Sequence, residues 1–182
     1  MGIEKEYLRC ILKTFQSMKK LGEDAMDQLS YEELHIYPNE ESNSIAIIIK
    51  HIWGNMLSRW TDFLTTDGEK STRNRDDEFT GEFPSKAALY EAWNQGWEVL
   101  FTTLNSLKEN DLEKTIHIRG EAHSVIEAIE RQISHYSYHI GQIVYVGKLL
   151  KNEKWECLSV PRGKSIEYTE NLMSKHNNLK NK

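Results

Sequence analysis

Apolar residues recur at intervals of three and four positions along most of the chain, the spacing of helices that bury one face. This spacing predicts four long helices, which span Ile3 to Leu29, Ser44 to Thr65, Ser85 to Leu107 and Ser124 to about Leu150. In the second of them, the stretch SIAIIIKHIWGNM is apolar nearly all round, which predicts burial on more than one side. The pattern therefore predicts an all-α fold.

The segments between the predicted helices differ in length. Ser30 and Glu33 are spaced to cap a short turn after the first helix. The polar link from Thr66 to Pro84 has roughly twenty residues, against the usual two to eight between antiparallel neighbours. Such a length predicts a crossover that leaves the second and third helices parallel. A mobile lid or a disordered loop is the alternative.

A short hairpin is predicted before the last helix. The stretch TIHIRGEAH, within Asn110 to His123, alternates in polarity and turns at Arg119-Gly120. Ser124 and Glu127 then form an S-x-x-E capping box that opens the last helix. The tail is polar, with one further turn expected between Tyr168 and Met173. We therefore expect a helical bundle domain over residues 1–156 and a polar tail over 157–182.

The composition is that of an ordinary globular chain, with 28% charged residues, 38% hydrophobic residues and a net charge of −5. Lys and Arg are scattered among Asp and Glu, so the basic footprint of a nucleic-acid binder is missing. No apolar run approaches the length of a membrane span, and no signal peptide is expected. Cys10 and Cys157 form no CxxC pair, which favours reduced thiols in the cytoplasm. Cys10, beside Ile11, is predicted to pack as a small hydrophobe.

Two histidines on the last predicted helix share one face. His135 and His139 lie four residues apart, the spacing that two imidazoles need to bind one metal ion. Their face also carries Ala128, Gln132, Gln142 and Val146. The spacing alone is weakly specific, and two neutral histidines held by hydrogen bonds explain it as well.

His51 supplies a third candidate ligand. It lies in the most apolar segment of the chain, where an imidazole is unfavourable without partners. A core histidine bonded to a carbonyl or a hydroxyl is one interpretation. The other is a centre of His51, His135 and His139 with positions left open, as in catalytic metal sites. Asn55 and Gln142 are then expected to hydrogen-bond the ligands.

No other chemistry is indicated. Glycine-rich nucleotide motifs, the nucleophile elbow and HExxH are missing. Structural or surface roles are predicted for His35, His117, His123, His176, Glu127 and Glu130.

Two stretches resemble the DinB-like superfamily. They are KHIWGNMLSRW around His51, and IRGEAHSVIEAIERQISHYSYHIGQIV through His135 and His139. The resemblance covers the second to fourth helices, and its most specific part is His-x-x-x-His-x-Gly-Gln. Members are described as DinB proteins, metal-dependent hydrolases and thiol S-transferases.

The resemblance implies a four-helix bundle with up-down-down-up topology, and homodimers are common in such families. It also implies a divalent metal, zinc or nickel, held by His51, His135 and His139. The first functional hypothesis is a metal-dependent thiol S-transferase that acts on small electrophiles, with a low-molecular-weight thiol such as bacillithiol as co-substrate. A metal-dependent hydrolase and a non-enzymatic metal-binding bundle are the alternatives.

Overall fold

The computed structural model describes residues 2–180, with side chains described as far as Lys175. The α-helices of this part are α1 (Ile3–Met26), α2 (Tyr31–His35), α3 (Ile45–Trp60), α4 (Lys86–Ser106), α5 (Val125–Lys151) and α6 (Ser165–Lys180). A two-stranded antiparallel sheet consists of β1 (Thr115–Ile118) and β2 (Glu121–Ser124). Short 3₁₀ helices lie at Asp76–Phe79, Glu109–Asp111 and Asn152–Lys154. The prediction of a mainly α-helical fold is confirmed.

The first predicted helix ends three residues early. α1 stops at Met26, and the backbone N–H of Leu29 bonds the Met26 carbonyl, which turns the chain toward α2. Leu29 is nevertheless buried. Ser30 and Glu33 form the predicted capping box at the start of α2.

The second predicted helix also ends early, at Trp60 rather than Thr65. Thr61 is extended, with φ −72° and ψ 129°, and Asp62 has a φ of 50°. The hydroxyl of Thr103 on α4 donates to the Trp60 carbonyl at 2.7 Å, so a neighbouring helix binds this end of α3. The link to α4 is therefore longer than predicted.

The link lies against α3. Phe63 and Phe83 are buried in the core. The Ser58 hydroxyl donates to the Gly68 carbonyl at 2.7 Å, and Lys50 Nζ donates to the Thr80 carbonyl at the same distance. These contacts order the link, so the disordered-loop alternative is wrong.

The core lies between α1, α3, α4 and α5. Phe15 on α1 is fully buried, and its ring contacts Trp60 on α3, Trp97 on α4 and Tyr136 on α5. Aromatic side chains of this size bury about 150–250 Å² each and contribute strongly to the energetics of a core. The four long helices therefore meet around one aromatic cluster.

The predicted hairpin is confirmed. Arg119 and Gly120 connect the strands with φ values of 57° and 77°, the positive pair of a type I′ turn. Asp67 of the link accepts the backbone N–H of Arg119 at 2.8 Å and of Gly120 at 2.7 Å. The link and the hairpin are thus held together.

Two further expectations change. The tail helix α6 is longer than the single turn predicted, and its side chains from Ser165 to Lys175 are exposed. Cys10 is exposed rather than packed, because it lies on the polar face of α1, where its Sγ is 3.5 Å from Glu6 Oε1. Within residues 2–180, no helix is long and apolar enough to span a bilayer.

Candidate metal centre

The structure brings together the three predicted ligands. Nε2 of His135 lies 3.2 Å from Nε2 of His51 and 3.2 Å from Nε2 of His139. One candidate ligand atom from each residue lies within 4.8 Å of the others. Among the described residues, this is the one group of three or more His, Cys, Asp or Glu side chains close enough to hold a metal ion.

Local sequence explains how the two helices supply these side chains. Ser44 caps α3 by accepting the backbone N–H of Ile47, and His51 follows nearly two turns later, only 4% exposed. On α5, the four-residue spacing places His135 and His139 one turn apart on the face that meets α3. The site therefore forms where two helices contact each other.

The outer nitrogen of His51 is bound by a carboxylate. Its Nδ1 lies 2.8 Å from Glu78 Oε2, and both groups are less than a tenth exposed. Arg73 donates to both oxygens of Glu78, from Nε at 2.6 Å and from Nη2 at 2.8 Å. A carboxylate that accepts from the outer nitrogen fixes the ring orientation and raises the basicity of the inner nitrogen.

His139 has a comparable partner. Its Nδ1 lies 2.8 Å from Gln142 Oε1, as the sequence predicted for Gln142. The same prediction for Asn55 is wrong, since Asn55 Oδ1 accepts the hydroxyl of Tyr136 at 2.9 Å and no hydrogen bond joins it to His51. Tyr136 in turn accepts from Trp60 Nε1 at 3.0 Å.

These hydrogen bonds set the tautomers of two rings. Glu78 and the Gln142 carbonyl oxygen are acceptors, so Nδ1 of His51 and Nδ1 of His139 carry the protons. In the neutral rings, both Nε2 atoms then present lone pairs toward His135 Nε2. If His135 Nε2 carries a proton, that single N–H can donate linearly to only one of the two lone pairs. A cation that accepts electron pairs from all three atoms satisfies the arrangement, so the donor set fits a metal ion.

The protonation states agree with this donor set. Burial, reinforced by the neighbouring imidazoles, lowers the pKa of His135 to about 3. Burial also lowers the pKa of His139 to about 4, with the Gln142 hydrogen bond acting in the opposite sense. Both rings are neutral around pH 7, as metal ligation requires.

Glu78 and Arg73 belong to the site but were not predicted. Burial alone would raise the pKa of the Glu78 carboxyl, but the bonds from His51 and Arg73 outweigh it and lower that pKa. One signal in the sequence does indicate that the Glu78 side chain lies close to α3. Gly54 interrupts an apolar helix, and a Cβ there would lie only 2.8 Å from the Cδ of Glu78. A glycine inside a helix often marks such a close contact.

A second carboxylate extends the network to the hairpin. Glu69 accepts from Arg59 Nη2 at 3.0 Å, from Arg119 Nε at 2.9 Å and from Arg73 Nη1 at 3.4 Å. Arg59 also donates to the Gly68 carbonyl. The link, the hairpin and α3 therefore meet beside the histidines.

Two cavities flank the ion pair of Arg73 and Glu78. One of about 200 Å³ includes His51 and His135 in its lining. A larger one of about 570 Å³ lies between α3 and the link and is lined by Trp53 and Leu57, without any of the three histidines. The smaller cavity is therefore the one that reaches the candidate ligands.

The remaining histidines and the two glutamates of α5 lie outside the centre. His117 is exposed, His35 bonds the Tyr31 carbonyl through Nδ1, and His123 is half-buried on β2. Glu127 caps α5 as predicted, and Glu130 accepts the hydroxyl of Tyr7 at 2.9 Å. His176 lies outside the residues whose side chains are described.

Comparison with known proteins gives one relationship. No curated protein and no solved structure matches the chain significantly. Residues 2–164 match the sequence model of a family described as "Protein of unknown function (DUF1572)". Because this match spans most of the 182 residues, the chain belongs to the DUF1572 family.

Proposed function

We propose that this protein is a DinB-like, divalent-metal-dependent thiol S-transferase that acts on small electrophiles. His51, His135 and His139 hold the metal, for which zinc and nickel are the candidates. The observation that carries the proposal is the convergence of three Nε2 atoms, two of them presenting lone pairs because Glu78 and Gln142 bind the outer nitrogens.

The bundle topology is part of the same proposal. Residue numbers rise along both α3 and α4 from one contact to the next. Trp53 bonds Gln95, and seven residues later the Trp60 carbonyl accepts from Thr103. This order supports a parallel pair, which the long link can connect.

The other helix pairs support the same topology. Contacts of α1 with α5 also advance together, from Tyr7 with Glu130 to Gly22 with Ile140. Between α1 and α4, residue numbers rise along one helix and fall along the other, as in an antiparallel pair. Gly22 lies against Trp93, and Asp27, just after α1, bonds Tyr90. An up-down-down-up bundle satisfies all three orders.

The proposed chemistry is the transfer of a thiol to carbon. A divalent metal supplies Lewis acidity, which lowers the pKa of a thiol bound to it and favours the thiolate. The thiolate sulfur donates an electron pair to an electrophilic carbon, an S–C bond forms, and the leaving group departs with the bonding electrons. His135 and His139 are neutral around pH 7, as ligation requires, while Glu78 and Gln142 hold the rings of His51 and His139 in position. Bacillithiol is one candidate thiol.

Hydrolysis is the less favoured candidate because no free general base that could assist attack by a metal-bound water is found beside the three histidines among the described residues. The nearest carboxylate is Glu78, and both of its oxygens are already bound by Arg73. Its lowered pKa makes it a weak base. Thiol transfer needs no such base once the thiolate has formed.

A purely structural metal is also less favoured. Structural zinc sites are closed by four protein ligands. Among the described residues, no fourth His, Cys, Asp or Glu joins the three histidines. An open position for a thiol or a substrate is thus compatible with the donor set. A homodimer and a cytoplasmic location stay predictions.

The first test is metal stoichiometry in protein purified without added ions, compared among wild type, His51→Ala and His117→Ala. We expect about one ion per chain in wild type and in His117→Ala, whose imidazole is exposed, and a loss of metal in His51→Ala. Full stoichiometry in His51→Ala would exclude the triad.

The second test measures conjugation of monobromobimane to bacillithiol, glutathione and cysteine. Metal-dependent conjugation above the uncatalysed rate supports the transferase. Turnover of an ester without any thiol would favour the hydrolase instead. If metal binds but neither reaction occurs, the non-enzymatic alternative is supported.

A further inference from the structure

The cavity beside the histidines is strongly basic. Arginines make up half of the residues that line its volume of about 200 Å³: Arg59, Arg73, Arg75, Arg119 and Arg131. His51 and His135 belong to the same lining, so the positive charge adjoins the candidate metal ligands. In a chain with a net charge of −5, this concentration is local and is unrelated to the overall charge.

Nearby carboxylates balance only part of this charge. Glu78 accepts from Arg73, and Glu69 accepts from Arg59, Arg73 and Arg119. No Asp or Glu contributes to the lining itself. Within the described part of the chain, the guanidinium groups of Arg75 and Arg131 form no ion pair and no hydrogen bond. Five guanidinium groups therefore face two carboxylates.

Two buried polar atoms of the lining lack partners. Among the described residues, Nε of Arg59 and Oε1 of Gln132 are buried without a hydrogen bond. Arg59 is 5% exposed and Gln132 is 3% exposed. Leaving such a group unpaired is unfavourable, so native structures usually supply a partner. The two atoms need different partners: the Gln132 oxygen needs a donor, whereas the Arg59 N–H needs an acceptor. For a buried N–H on a cationic group, an anionic oxygen is the best acceptor.

We propose that this cavity binds an oxyanion of the substrate, a carboxylate or a phosphate group, with Arg75 and Arg131 as its principal charge partners. The planar guanidinium fork matches both groups and donates two parallel hydrogen bonds to either. A cavity of this size admits a small molecule or one end of a larger one. The inference rests on the proposed function only in placing the bound anion beside a reactive metal. It predicts that the substrate carries a negative charge.

The test is isothermal titration calorimetry on the full chain, both metal-free and zinc-loaded. The probes are succinate, methyl phosphate and the uncharged succinamide. The variants are Arg75→Gln combined with Arg131→Gln, and the control Arg162→Gln, which removes an exposed arginine outside the cavity lining. Arg75 and Arg131 are also exposed, so the double variant is expected to fold, which circular dichroism checks.

We expect one of the two anions to bind wild type and Arg162→Gln equally. The double variant should bind it at least tenfold more weakly, because it lacks two guanidinium groups that donate charge-assisted hydrogen bonds. Tighter binding of succinate assigns a carboxylate, and tighter binding of methyl phosphate assigns a phosphate. The inference is overturned if neither anion binds, if the double variant matches wild type, or if succinamide binds as tightly as succinate.

Metal stoichiometry of the same samples separates this inference from the proposed function. Anion binding by a protein that holds no metal supports the basic site while the transferase proposal fails. One metal ion per chain without anion binding overturns the basic site and leaves the transferase proposal standing.

Discussion

At the residue scale, hydrogen bonds orient two of the three candidate ligands through their outer nitrogens, those of His51 and His139. His51 alone would be an unfavourable polar group in an apolar helix. Glu78 compensates one nitrogen, and Arg73 in turn neutralises Glu78 within the same buried region. The geometry therefore depends on a residue of the polar link, far from the histidines in sequence.

Glu78→Gln is expected to weaken metal binding by about 10- to 100-fold, because His51 loses the carboxylate that orients its ring. Competition with a chromogenic chelator measures the affinity. Glu82→Gln is the matched control, since Glu82 is an exposed glutamate of the same link. Equal metal affinities in the two variants would contradict a role for Glu78.

Gly54→Ala is expected to weaken metal binding although alanine is the better helix former. The new Cβ would contact the Glu78 side chain and displace it from His51. Gly141→Ala on α5 is the control, because nothing lies within 4 Å of a Cβ there.

In chemical denaturation, we expect Gly141→Ala to stabilise the fold by about 0.5–1 kcal/mol, the usual gain in helix propensity. Gly54→Ala should gain less or be destabilised. A gain of equal size, with unchanged metal affinity, would mean that Glu78 tolerates the extra carbon.

At the element scale, caps and turns fix where the structural elements begin. Ser30, Ser44, Ser85 and Ser124 each accept a backbone N–H at the start of a helix. Helix ends were harder to predict, because α3 stops where a side chain of α4 binds its last carbonyl. Asp67 likewise accepts backbone N–H groups, those of Arg119 and Gly120 in the hairpin turn. Its carboxylate is titratable, so this contribution depends on pH.

Asp67→Ala is expected to destabilise the protein at neutral pH and progressively less in acid. Backbone N–H bonds from Glu69, Gly120 and Arg119 lower the pKa of Asp67 from 3.8 to about 2. A depressed carboxyl pKa stabilises the fold above pH 3.8, and this stabilisation is lost as the pH falls toward 2.

Urea unfolding at pH 7, 4 and 2.5 measures the difference between wild type and Asp67→Ala. Asp76→Ala removes an exposed carboxylate that accepts no hydrogen bond among the described residues, and it serves as the control. A wild-type advantage over Asp67→Ala that is constant across this range would exclude the proposed origin of the stability.

At the scale of the whole molecule, the candidate metal centre joins two helices that are distant in sequence. His51 comes from α3, the other two ligands come from α5, and both helices contribute to the aromatic cluster around Phe15. A metal bound there would stabilise the folded chain relative to the unfolded one by mass action.

Zinc at about 100 times its dissociation constant is expected to add about 2.7 kcal/mol of stability. For a chain of this size, that corresponds to a rise of about 5–10 °C in Tm. Differential scanning calorimetry with zinc or EDTA measures the shift. His51→Ala should show no response and His117→Ala a full one; identical Tm values for metal-free and zinc-loaded wild type would refute metal binding at this site.

The sequence by itself predicted the four long helices, the two capping boxes, the hairpin and the three candidate ligands. These features depend on interactions within a few residues, or on periodicities that a helix repeats every turn. Only the tertiary structure decided the hydrogen-bond partners and the basic cavity. The polar link that contains Glu78, Arg73 and Arg75 has no periodic pattern. Its sequence therefore does not distinguish a carboxylate that faces α3 from one that faces solvent. Arg131 and Gln132 are likewise ordinary helix residues until the fold places them beside Arg73 and Arg75 in one cavity lining.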